Sequence, residues 1–319
     1  MKALWLDGDP RLRDDVPMPQ PGAGEALVRV RMAGVCATDL ELLRGYAPFR
    51  GVFGHEFVGE IAAASDAPER VGETVVGDIN VACGRCGECL AGRRTHCEQR
   101  RVAGIRGLDG AFAEFLRLPL VNLHTVPASV PDEAAVFAEP LAAALEIPRQ
   151  LAIAPDQRVL VVGAGRLGQL IARVLRLSGC ELTAVARHPR QRALLEAVGI
   201  PWIGEDAVPG HGLDVVVEAT GSPSGFALAR RAVRPRGTIV LKSTYQGLLH
   251  ADFSSLVVDE ITLVGSRCGP FPAALRLLQV GLVDPRPLID ARYPLTEALA
   301  ALDRAAQPGA MKVLIDCQA

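Results

Sequence analysis

The sequence predicts an α/β protein in which a mostly β unit is followed by a doubly wound parallel sheet. Residues up to about 145 have the pattern of short strands separated by turns rich in glycine and proline. From about residue 146, apolar runs alternate with segments of helical periodicity, which is typical of βαβ units. A glycine-rich turn between an apolar run and a helical segment marks the start of this second part.

Length and charge limit the classes of protein that the chain can form. It has 319 residues, enough for two domains, and a net charge of -2 with 22% charged residues. No block of like charges appears, so we expect neither a nucleic acid nor a membrane as a partner. Residues 1–7 lack the apolar segment of a signal peptide, and no apolar run is long enough to span a bilayer. We therefore expect a cytoplasmic protein.

The predicted elements follow from these periodicities. In the first part, alternation of apolar and polar residues predicts strands that include residues 26–32, 57–63 and 74–79. In the second part, apolar runs predict strands over residues 158–162, 182–186, 213–218, 238–241 and 261–264. Helical spacing predicts helices over residues 167–175, 191–198 and 224–232. The tail adds predicted helices near residues 272–280 and 295–305 and a final strand over residues 312–316.

Four cysteines, Cys83, Cys86, Cys89 and Cys97, lie within 15 residues. Gaps of two residues turn successive thiolates to one side of a tight loop, and the fourth thiolate closes a tetrahedral S4 site. Such a site has no open position, so the pattern indicates a structural zinc that stabilises the segment 83–97. An iron–sulfur cluster and free cysteines are the alternatives. His96 lies inside the segment and is interpreted as a surface residue, whereas Cys180, Cys268 and Cys317 lack metal-binding spacing.

The glycine turn has the form Gly-x-Gly-x-x-Gly directly after a predicted strand. Glycines allow the backbone to approach a pyrophosphate, and the helix that follows supplies N–H donors at its N-terminus. The pattern therefore predicts a dinucleotide site, with a plain strand-to-helix turn as the alternative. The predicted contact residues are Gly163, Gly165, Arg166, Leu167 and Gly168.

The end of the second strand of this unit indicates which dinucleotide binds. An acidic residue usually binds the ribose hydroxyls here, but none occurs between Glu181 and Glu196. The basic residues Arg187, His188, Arg190 and Arg192 occupy the region instead. Because arginine binds a phosphate with two hydrogen bonds, we favour NADP over NAD. Solvated surface residues at a helix start are the alternative.

A second group of metal-binding residue types occurs outside the cysteine segment. It comprises Cys36 with Thr38, the pair His55-Glu56, and Glu139. One thiolate, one imidazole and carboxylates form the mixed set that a catalytic zinc uses when it keeps a position open for substrate.

Together these motifs give the chain a specific resemblance over essentially its whole length. In order, they are Cys36-Ala37-Thr38-Asp39, Gly54-His55-Glu56, the four cysteines, Glu139-Pro140-Leu141-Ala142, the Gly163–Gly168 turn and Glu218-Ala219-Thr220-Gly221. The chain resembles the zinc-dependent medium-chain dehydrogenases, the superfamily of alcohol, sorbitol, threonine and glucose dehydrogenases. The polyol and glucose branch is most similar, because it has Glu-Pro-Leu where alcohol dehydrogenases place a third cysteine ligand.

The resemblance implies a fold and a division into domains. A GroES-like β-barrel catalytic domain would comprise residues 1–145 and 268–319, including the zinc lobe 83–97. A Rossmann domain with a doubly wound parallel sheet would comprise residues 146–267. Family members are dimers or tetramers, so a homo-oligomer is expected.

The resemblance also implies roles for single residues. Cys36 and His55 would ligate the catalytic zinc, and Glu56 and Glu139 would each ligate it directly or through water. Thr38 would hydrogen-bond the zinc-bound oxygen and relay its proton, while hydride passes to the nicotinamide. Thr220, within the Glu218–Gly221 motif, is expected at the cofactor.

A second set of cofactor neighbours follows from the sheet and not from the resemblance. Lys242, Ser243 and Thr244 follow the predicted strand 238–241 on the side where a doubly wound sheet binds ligands, so they are expected near the nicotinamide ribose, with Arg267 as a further candidate.

Two positions depart from the family pattern. Glu41 and Glu146 stand where many relatives have histidine, which leaves the substrate and the proton relay open. Glu41 either accepts the proton, bonds a ribose hydroxyl or is a surface residue. Phe49 and Phe53 either line an apolar pocket or pack in the core.

The predicted activity is hydride transfer between NAD(P) and an alcohol, whether a polyol, a sugar or a secondary alcohol. Two alternatives remain at this point. One is a zinc-free quinone or enoyl reductase on the same fold. The other is an inactive relative that binds zinc and nucleotide or senses redox state.

Overall fold

The computed structural model describes residues 1–244 and 248–318, and the chain divides into two compact units. The first comprises Met1–Glu139 and Phe271–Ala319, and the second comprises Pro140–Pro270. The strands are β1 Ala3–Asp7, β2 Asp9–Arg13, β3 Glu25–Gly34, β4 Gly51–Val52, β5 Glu56–Ala63, β6 Thr74–Gly77, β7 Asn80–Val81, β8 Arg101–Ala103, β9 Gly107–Leu108, β10 Phe115–Pro119, β11 Leu123–Thr125, β12 Arg158–Val162, β13 Glu181–Val185, β14 Trp202–Ile203, β15 Leu213–Glu218, β16 Val233–Leu241, β17 Thr262–Gly265, β18 Ile289–Pro294 and β19 Lys312–Asp316. The helices are α1 Ala37–Leu43, α2 Gly87–Leu90, α3 Asp132–Ala135, α4 Ala138–Gln150, α5 Arg166–Arg176, α6 Pro189–Glu196, α7 Pro223–Ala232, α8 Phe253–Val258, α9 Phe271–Gln279 and α10 Ala298–Ala306.

The first unit is built on a mixed sheet with the order β11-β6-β5-β3-β19-β18, to which β10 adds by pairing with β3. Within the part of the chain described, two smaller sheets, β2-β1-β4 and β7-β8-β9, accompany it. Apolar side chains fill the core between them, including Phe53 and Phe112, whose rings meet edge to face at 5.1 Å. Burial of this apolar surface is the main force that holds the unit together.

The order of three strands determines where functional residues meet. β3 lies between β5 and β19, and it pairs antiparallel with both. Gly34, at the end of β3, is opposite Glu56 of β5 and also opposite Leu314 of β19. Residues at the start of β5 and β19 are therefore brought to the same end of β3, although they are far apart in sequence.

The second unit contains a parallel sheet with the order β14-β13-β12-β15-β16-β17 among the described residues. From β12 the sheet extends through β13 to β14 on one side. The chain then returns, and β15, β16 and β17 extend the sheet on the other side of β12. This is the strand order of a doubly wound sheet, and it confirms the predicted fold class. Ligands bind such sheets at the carboxyl ends of the strands near the point where the order reverses.

Most predicted elements are present with shifted ends, and three differences have clear causes. The predicted strand 74–79 ends at Gly77, because the Asp78 carboxylate accepts a hydrogen bond from the Asn80 N–H and turns the chain into β7. The predicted helix 191–198 begins at Pro189, a favoured residue in a first helical turn, and ends at Glu196. The predicted strand 238–241 begins at Val233, where the chain leaves α7.

None of the helices in residues 1–244 and 248–318 has both the length and the apolar character needed to cross a bilayer.

Candidate active site and metal centres

Cys36, His55 and Glu56 converge in the first unit, where one ligand atom from each lies within 4.8 Å of the others. Cys36 follows β3 and precedes α1, whereas His55 and Glu56 lie at the start of β5. The β3–β5 register brings the two segments together. A Cβ on Gly34 would lie 2.6 Å from Oε2 of Glu56, so a larger residue there would displace this carboxylate. Thiolate, imidazole and carboxylate form a donor set that suits a catalytic zinc.

Asp39 connects the first two of these residues and is fully buried. Its Oδ1 lies 3.1 Å from Nδ1 of His55, and its Oδ2 accepts a 2.8 Å hydrogen bond from the Cys36 N–H. Because the carboxylate accepts, Nδ1 carries the proton and Nε2 is left for a metal. Burial lowers the pKa of His55, but Asp39 and Cys36 outweigh this and hold the pKa well above its usual value. This role of Asp39 is not evident from the sequence motifs alone. The sequence signal for it is its position three residues after Cys36.

Glu56 has a second partner that the sequence analysis missed. Lys312, at the start of β19, forms an ion pair with Oε2 of Glu56, and its Nζ also lies 3.4 Å from the Val35 carbonyl oxygen. The ammonium group faces the ring of Phe137 at 5.6 Å from the centroid. The sequence carries one signal for this role of Lys312. It is a lysine at a buried position of an otherwise apolar strand, where its charge requires a partner.

Glu139 lies in the first turn of α4. It is not part of the group formed by Cys36, His55 and Glu56, whose ligand atoms lie within 4.8 Å of one another. It still belongs to the same electrostatic environment. Burial raises the pKa of Glu139 to about 7; the charge of His55 opposes this rise, and that of Glu56 adds to it. The carboxyl group therefore changes its charge near neutral pH.

Thr38 and Glu41 both lie on α1 but have different surroundings. The half-buried Thr38 has its Oγ1 3.8 Å from Sγ of Cys36, beside the candidate metal ligands. Glu41 forms a 2.7 Å ion pair with Arg44 one turn later.

The two phenylalanines that precede His55 belong to the core. Phe53 has no exposed surface, and Phe49 is partly buried and packs against the same core.

The sulfur atoms of Cys83, Cys86, Cys89 and Cys97 also lie within 4.8 Å of one another. Sγ of Cys86 is 3.5 Å from Sγ of Cys89 and 3.9 Å from Sγ of Cys97, too far for disulfides. Cys86 is the N-cap residue of α2 and Cys89 lies within that helix, while the turns of the segment contain Gly84 and Gly92 with φ of 75° and 77°.

The pKa values of the thiols in this segment are shifted in opposite directions. Backbone N–H groups of Arg85 and Cys86 lower the pKa of Cys83 to about 6. Burial and then the neighbouring Cys86 raise the pKa of Cys89 to about 12. Four thiolates so close together repel one another unless a cation lies between them, and four thiolates form the donor set of structural zinc.

The glycine turn of the second unit runs from β12 into α5. Gly163 has φ of 102°, and a Cβ there would lie 2.8 Å from Cγ2 of Thr220. A Cβ on Gly168 would overlap the carbonyl oxygen of Gly163, whereas one on Gly165 would meet no atom within 4 Å. Open space thus lies in front of the α5 N-terminus, whose N–H groups suit a pyrophosphate. Arg166 and Leu167 occupy the first turn of α5.

Residues after β15 and β16 surround the same end of the sheet. Thr220 Oγ1 hydrogen-bonds to Glu218 and lies 2.9 Å from Ser222 Oγ. Ser243 is half-buried, and Thr244 is exposed. Lys242 differs from the other two, because its Nζ donates to Ser266 Oγ at 3.1 Å and to the Arg267 carbonyl at 2.8 Å. These bonds hold the lysine against the start of the segment after β17.

Basic residues follow β13, as the sequence indicated. Arg192 donates from Nε to the Ala186 carbonyl at 3.2 Å and from Nη2 to the Arg187 carbonyl at 3.1 Å. Its guanidinium group stacks on Trp202, 4.5 Å from the ring centroid. Arg187 forms an ion pair with Glu205, and His188 is the N-cap residue of α6.

Comparison with known families and proteins agrees with this geometry. Residues 22–128 match the alcohol dehydrogenase GroES-like domain, and residues 167–279 match the zinc-binding dehydrogenase family. The chain is 31% identical to L-threonine 3-dehydrogenase of Pyrococcus abyssi over 88% of this chain and 87% of the relative. It is also 31% identical to an erythritol/L-threitol dehydrogenase of Mycolicibacterium smegmatis, over 95% and 93% of the two chains.

A solved structure gives the same result for the fold. A zinc-binding dehydrogenase from Sinorhizobium meliloti 1021, crystallised with NADP, superposes with a TM-score of 0.90 at 30% identity and covers 99% of this chain and 98% of its own. The predicted resemblance is thereby confirmed: the chain belongs to the zinc-dependent medium-chain dehydrogenases, NAD(P)-dependent oxidoreductases that act on alcohols.

Proposed function

We propose that this enzyme oxidises a secondary hydroxyl group of a polyol, a sugar or another secondary alcohol, and that it uses NADP+ in preference to NAD+. The observation that carries the proposal is the convergence of Cys36, His55 and Glu56. The Glu139-Pro140-Leu141 sequence supports a polyol or sugar. So does the similarity to a relative named for erythritol and L-threitol.

We further propose that each chain binds two zinc ions. Cys36 and His55 would hold the catalytic ion, with Glu56 or Glu139 as a ligand, either directly or through water. Cys83, Cys86, Cys89 and Cys97 would hold the structural ion. When bound, the catalytic zinc supplies a Lewis acid that makes a hydroxyl group more acidic, and NADP+ supplies the hydride acceptor.

The protein side chains would then position ligands and move a proton. Asp39 fixes the tautomer and orientation of His55. Lys312 compensates the charge of Glu56, which would otherwise be buried without a counter-ion. The Thr38 hydroxyl, half-buried beside Cys36, would take the proton from the substrate hydroxyl and pass it towards solvent. Glu41 is already paired with Arg44, which favours the surface role for this residue.

In the second unit, we propose that Gly163, Gly165, Arg166, Leu167 and Gly168 bind the pyrophosphate of the cofactor. Thr220 and Ser243 would lie near its nicotinamide half. The 2′-phosphate of NADP would bind the basic group formed by Arg187, His188 and Arg192. The open space beside Gly165 and the absence of an acid at the end of β13 support this arrangement.

We also propose a homo-oligomer. Five exposed large apolar side chains fall between residues 248 and 263: Leu248, Phe253, Val257, Val258 and Leu263. They include residues of α8 and of β17, the last strand in the sheet order, and an exposed sheet edge beside apolar residues is typical of an interface. A reducing compartment such as the cytoplasm is proposed because the four clustered thiols must stay reduced to bind zinc.

The test is a metal analysis combined with an activity survey. Purified enzyme is analysed for zinc by mass spectrometry and assayed with polyols, aldoses and secondary alcohols, using NADP+ and NAD+. Two zinc ions per chain are expected, with one lost in Cys36→Ser together with activity, one lost in Cys97→Ser, and none lost in the control Cys180→Ser. Zinc without alcohol oxidation would favour an inactive relative, and full activity of Cys36→Ser would contradict the proposed site.

A further inference from the structure

The carboxyl ends of β13 and β14 bring an arginine and a glutamate together. Val185 pairs with Ile203 in the parallel register of these strands. Arg187 follows Val185 by two residues and Glu205 follows Ile203 by two, so they leave the sheet side by side. Nε of Arg187 donates to Oε1 of Glu205, across a sequence separation of 18 residues. The pair lies where the cofactor 2′-phosphate is proposed to bind.

The second arginine at this edge has different partners. Arg192 donates to two neutral backbone carbonyls and stacks on Trp202, whose Nε1 in turn donates to Glu196 at 2.7 Å. Within residues 1–244 and 248–318, no carboxylate forms an ion pair with Arg192. Arg192 is therefore held in place by neutral partners, whereas Arg187 is paired with the carboxylate of Glu205.

This asymmetry has a consequence for cofactor choice. A phosphate group carries a charge of about -1.5 to -2 near neutral pH and binds guanidinium groups with two hydrogen bonds. To bind it, Arg187 must give up or share the contact with Glu205. A cofactor with a free 2′-hydroxyl makes no such demand, so the ion pair stays intact when NAD binds.

We propose that Glu205 limits the preference of this enzyme for NADP+ by competing with the 2′-phosphate for Arg187. Glu205 acts through Arg187 and is thus a positioning residue that sets cofactor selectivity. The inference rests on the proposed location of the 2′-phosphate site. It changes the expectation drawn from the sequence: Glu205 reduces the contribution of Arg187 to phosphate binding, while Arg192 has no such carboxylate partner among the described residues.

The test is the variant Glu205→Gln, which keeps the shape of the side chain and removes its charge. The dissociation constants of NADP+ and NAD+ are measured by isothermal titration calorimetry on the zinc-loaded enzyme at low salt. NADP+ is expected to bind about five-fold more tightly to the variant, since a nearby like charge is removed from an exposed site. NAD+ affinity is expected to stay the same, and the gain for NADP+ should shrink as salt screens the charges.

Two further variants separate competition for Arg187 from a general change of charge. Asp206→Asn removes the same charge from the next residue, which is exposed, and is expected to have a smaller effect. In an Arg187→Ala background, Glu205→Gln is expected to give no further gain, because the contested partner is gone. The KM for NADP+ should fall in Glu205→Gln while kcat and the thermal unfolding midpoint stay as in the wild type.

Several results would overturn the inference. They are an unchanged or weaker NADP+ affinity in Glu205→Gln, an equal gain in Asp206→Asn, or a gain that persists without Arg187. A wild-type enzyme that prefers NAD+ would contradict only the proposed cofactor preference. The role of Glu205 would still be tested, because the effect of Glu205→Gln on the ratio of the NADP+ and NAD+ affinities can be measured in either case.

Discussion

Lys312 and Glu56 form an ion pair inside the first unit although 256 residues separate them in the chain. Their side chains are only 3% and 1% exposed. The pair exists because β3 has β5 on one side and β19 on the other, so that the first residue of each comes to the same end of β3. It balances the carboxylate of Glu56, itself a candidate metal ligand, which without a metal ion would otherwise be a buried charge with no counter-ion.

Removal of Lys312 should therefore destabilise the protein strongly. Lys312→Met leaves the Glu56 carboxylate buried without its partner, and the expected loss in the free energy of unfolding is about 3–5 kcal/mol. Urea unfolding followed by circular dichroism measures it. The double variant Glu56→Gln/Lys312→Met removes both charges and should lose less than the single variant. Equal losses in the two variants would show that packing, and not the unpaired charge, dominates.

Asp39 should govern how tightly the candidate catalytic centre holds its metal. Asp39→Asn replaces the carboxylate that accepts from Nδ1 of His55, and groups in this position typically contribute about 10- to 100-fold in metal affinity. The measurement is the rate of zinc release to a coloured chelator. One zinc per chain should leave faster, while the second, held by the four cysteines, should leave as in the wild type. The exposed Asp303→Asn serves as the control, and an identical release rate in Asp39→Asn would contradict the assignment.

Substitution of two glycines in the nucleotide turn should have different effects, one on the stability of the fold and the other on cofactor binding. A Cβ on Gly168 would overlap the Gly163 carbonyl, so Gly168→Ala should lower the stability of the second unit by about 1–3 kcal/mol. Gly165 has open space around it in the free protein, so Gly165→Ala should fold normally. The added methyl group would instead occupy space proposed for the pyrophosphate and weaken NADP+ binding. Calorimetric titration and thermal unfolding of both variants test this, and normal NADP+ affinity in Gly165→Ala would place the cofactor elsewhere.

His124 should make the stability of the first unit depend on pH. Burial lowers the pKa of His124 below its ordinary value of 6.5, with Asp78 opposing the shift and Arg70 adding to it. The unfolded chain thus takes up this proton at a higher pH than the folded protein, so the stability that neutral His124 contributes should be lost as the pH drops below 6.5. His55 and Glu139, whose pKa values are raised, contribute with the opposite sign, so the effect of His124 is read from the difference between the wild type and a variant.

Urea unfolding between about pH 5 and pH 8 measures this dependence. His124→Asn, which also loses the stacking on Phe271, should have a lower stability, and its deficit relative to the wild type should shrink as the pH falls below 6.5. The exposed His211→Asn serves as the control and should differ from the wild type by the same amount at each pH. A deficit of His124→Asn that does not change with pH would show that another group is responsible.

The sequence alone determined the features that depend on spacing along the chain. The four cysteines, the glycine turn and the alternation of strands with helices are local patterns, since each is formed by residues a few positions apart. They were sufficient for the doubly wound sheet, and the family followed once the motifs around Cys36, His55 and Glu139 were added to them. The pairing of Cys36 with His55 and Glu56 required the resemblance as well, because His55 follows Cys36 by 19 positions, with α1 and β4 between them.

Only the tertiary structure decided which charged residues face one another. The contact of His55 with Asp39, of Glu56 with Lys312 and of Arg187 with Glu205 depends on which strands are neighbours and in what register. Periodicity in a sequence specifies that a strand forms and which of its faces is buried, but a strand of the same pattern can pair with many others. For the first two of these contacts, the burial that makes the charges interact strongly arises when the strands pair. For this reason the sequence predicted the ligands, and the structure added the residues that orient and compensate them.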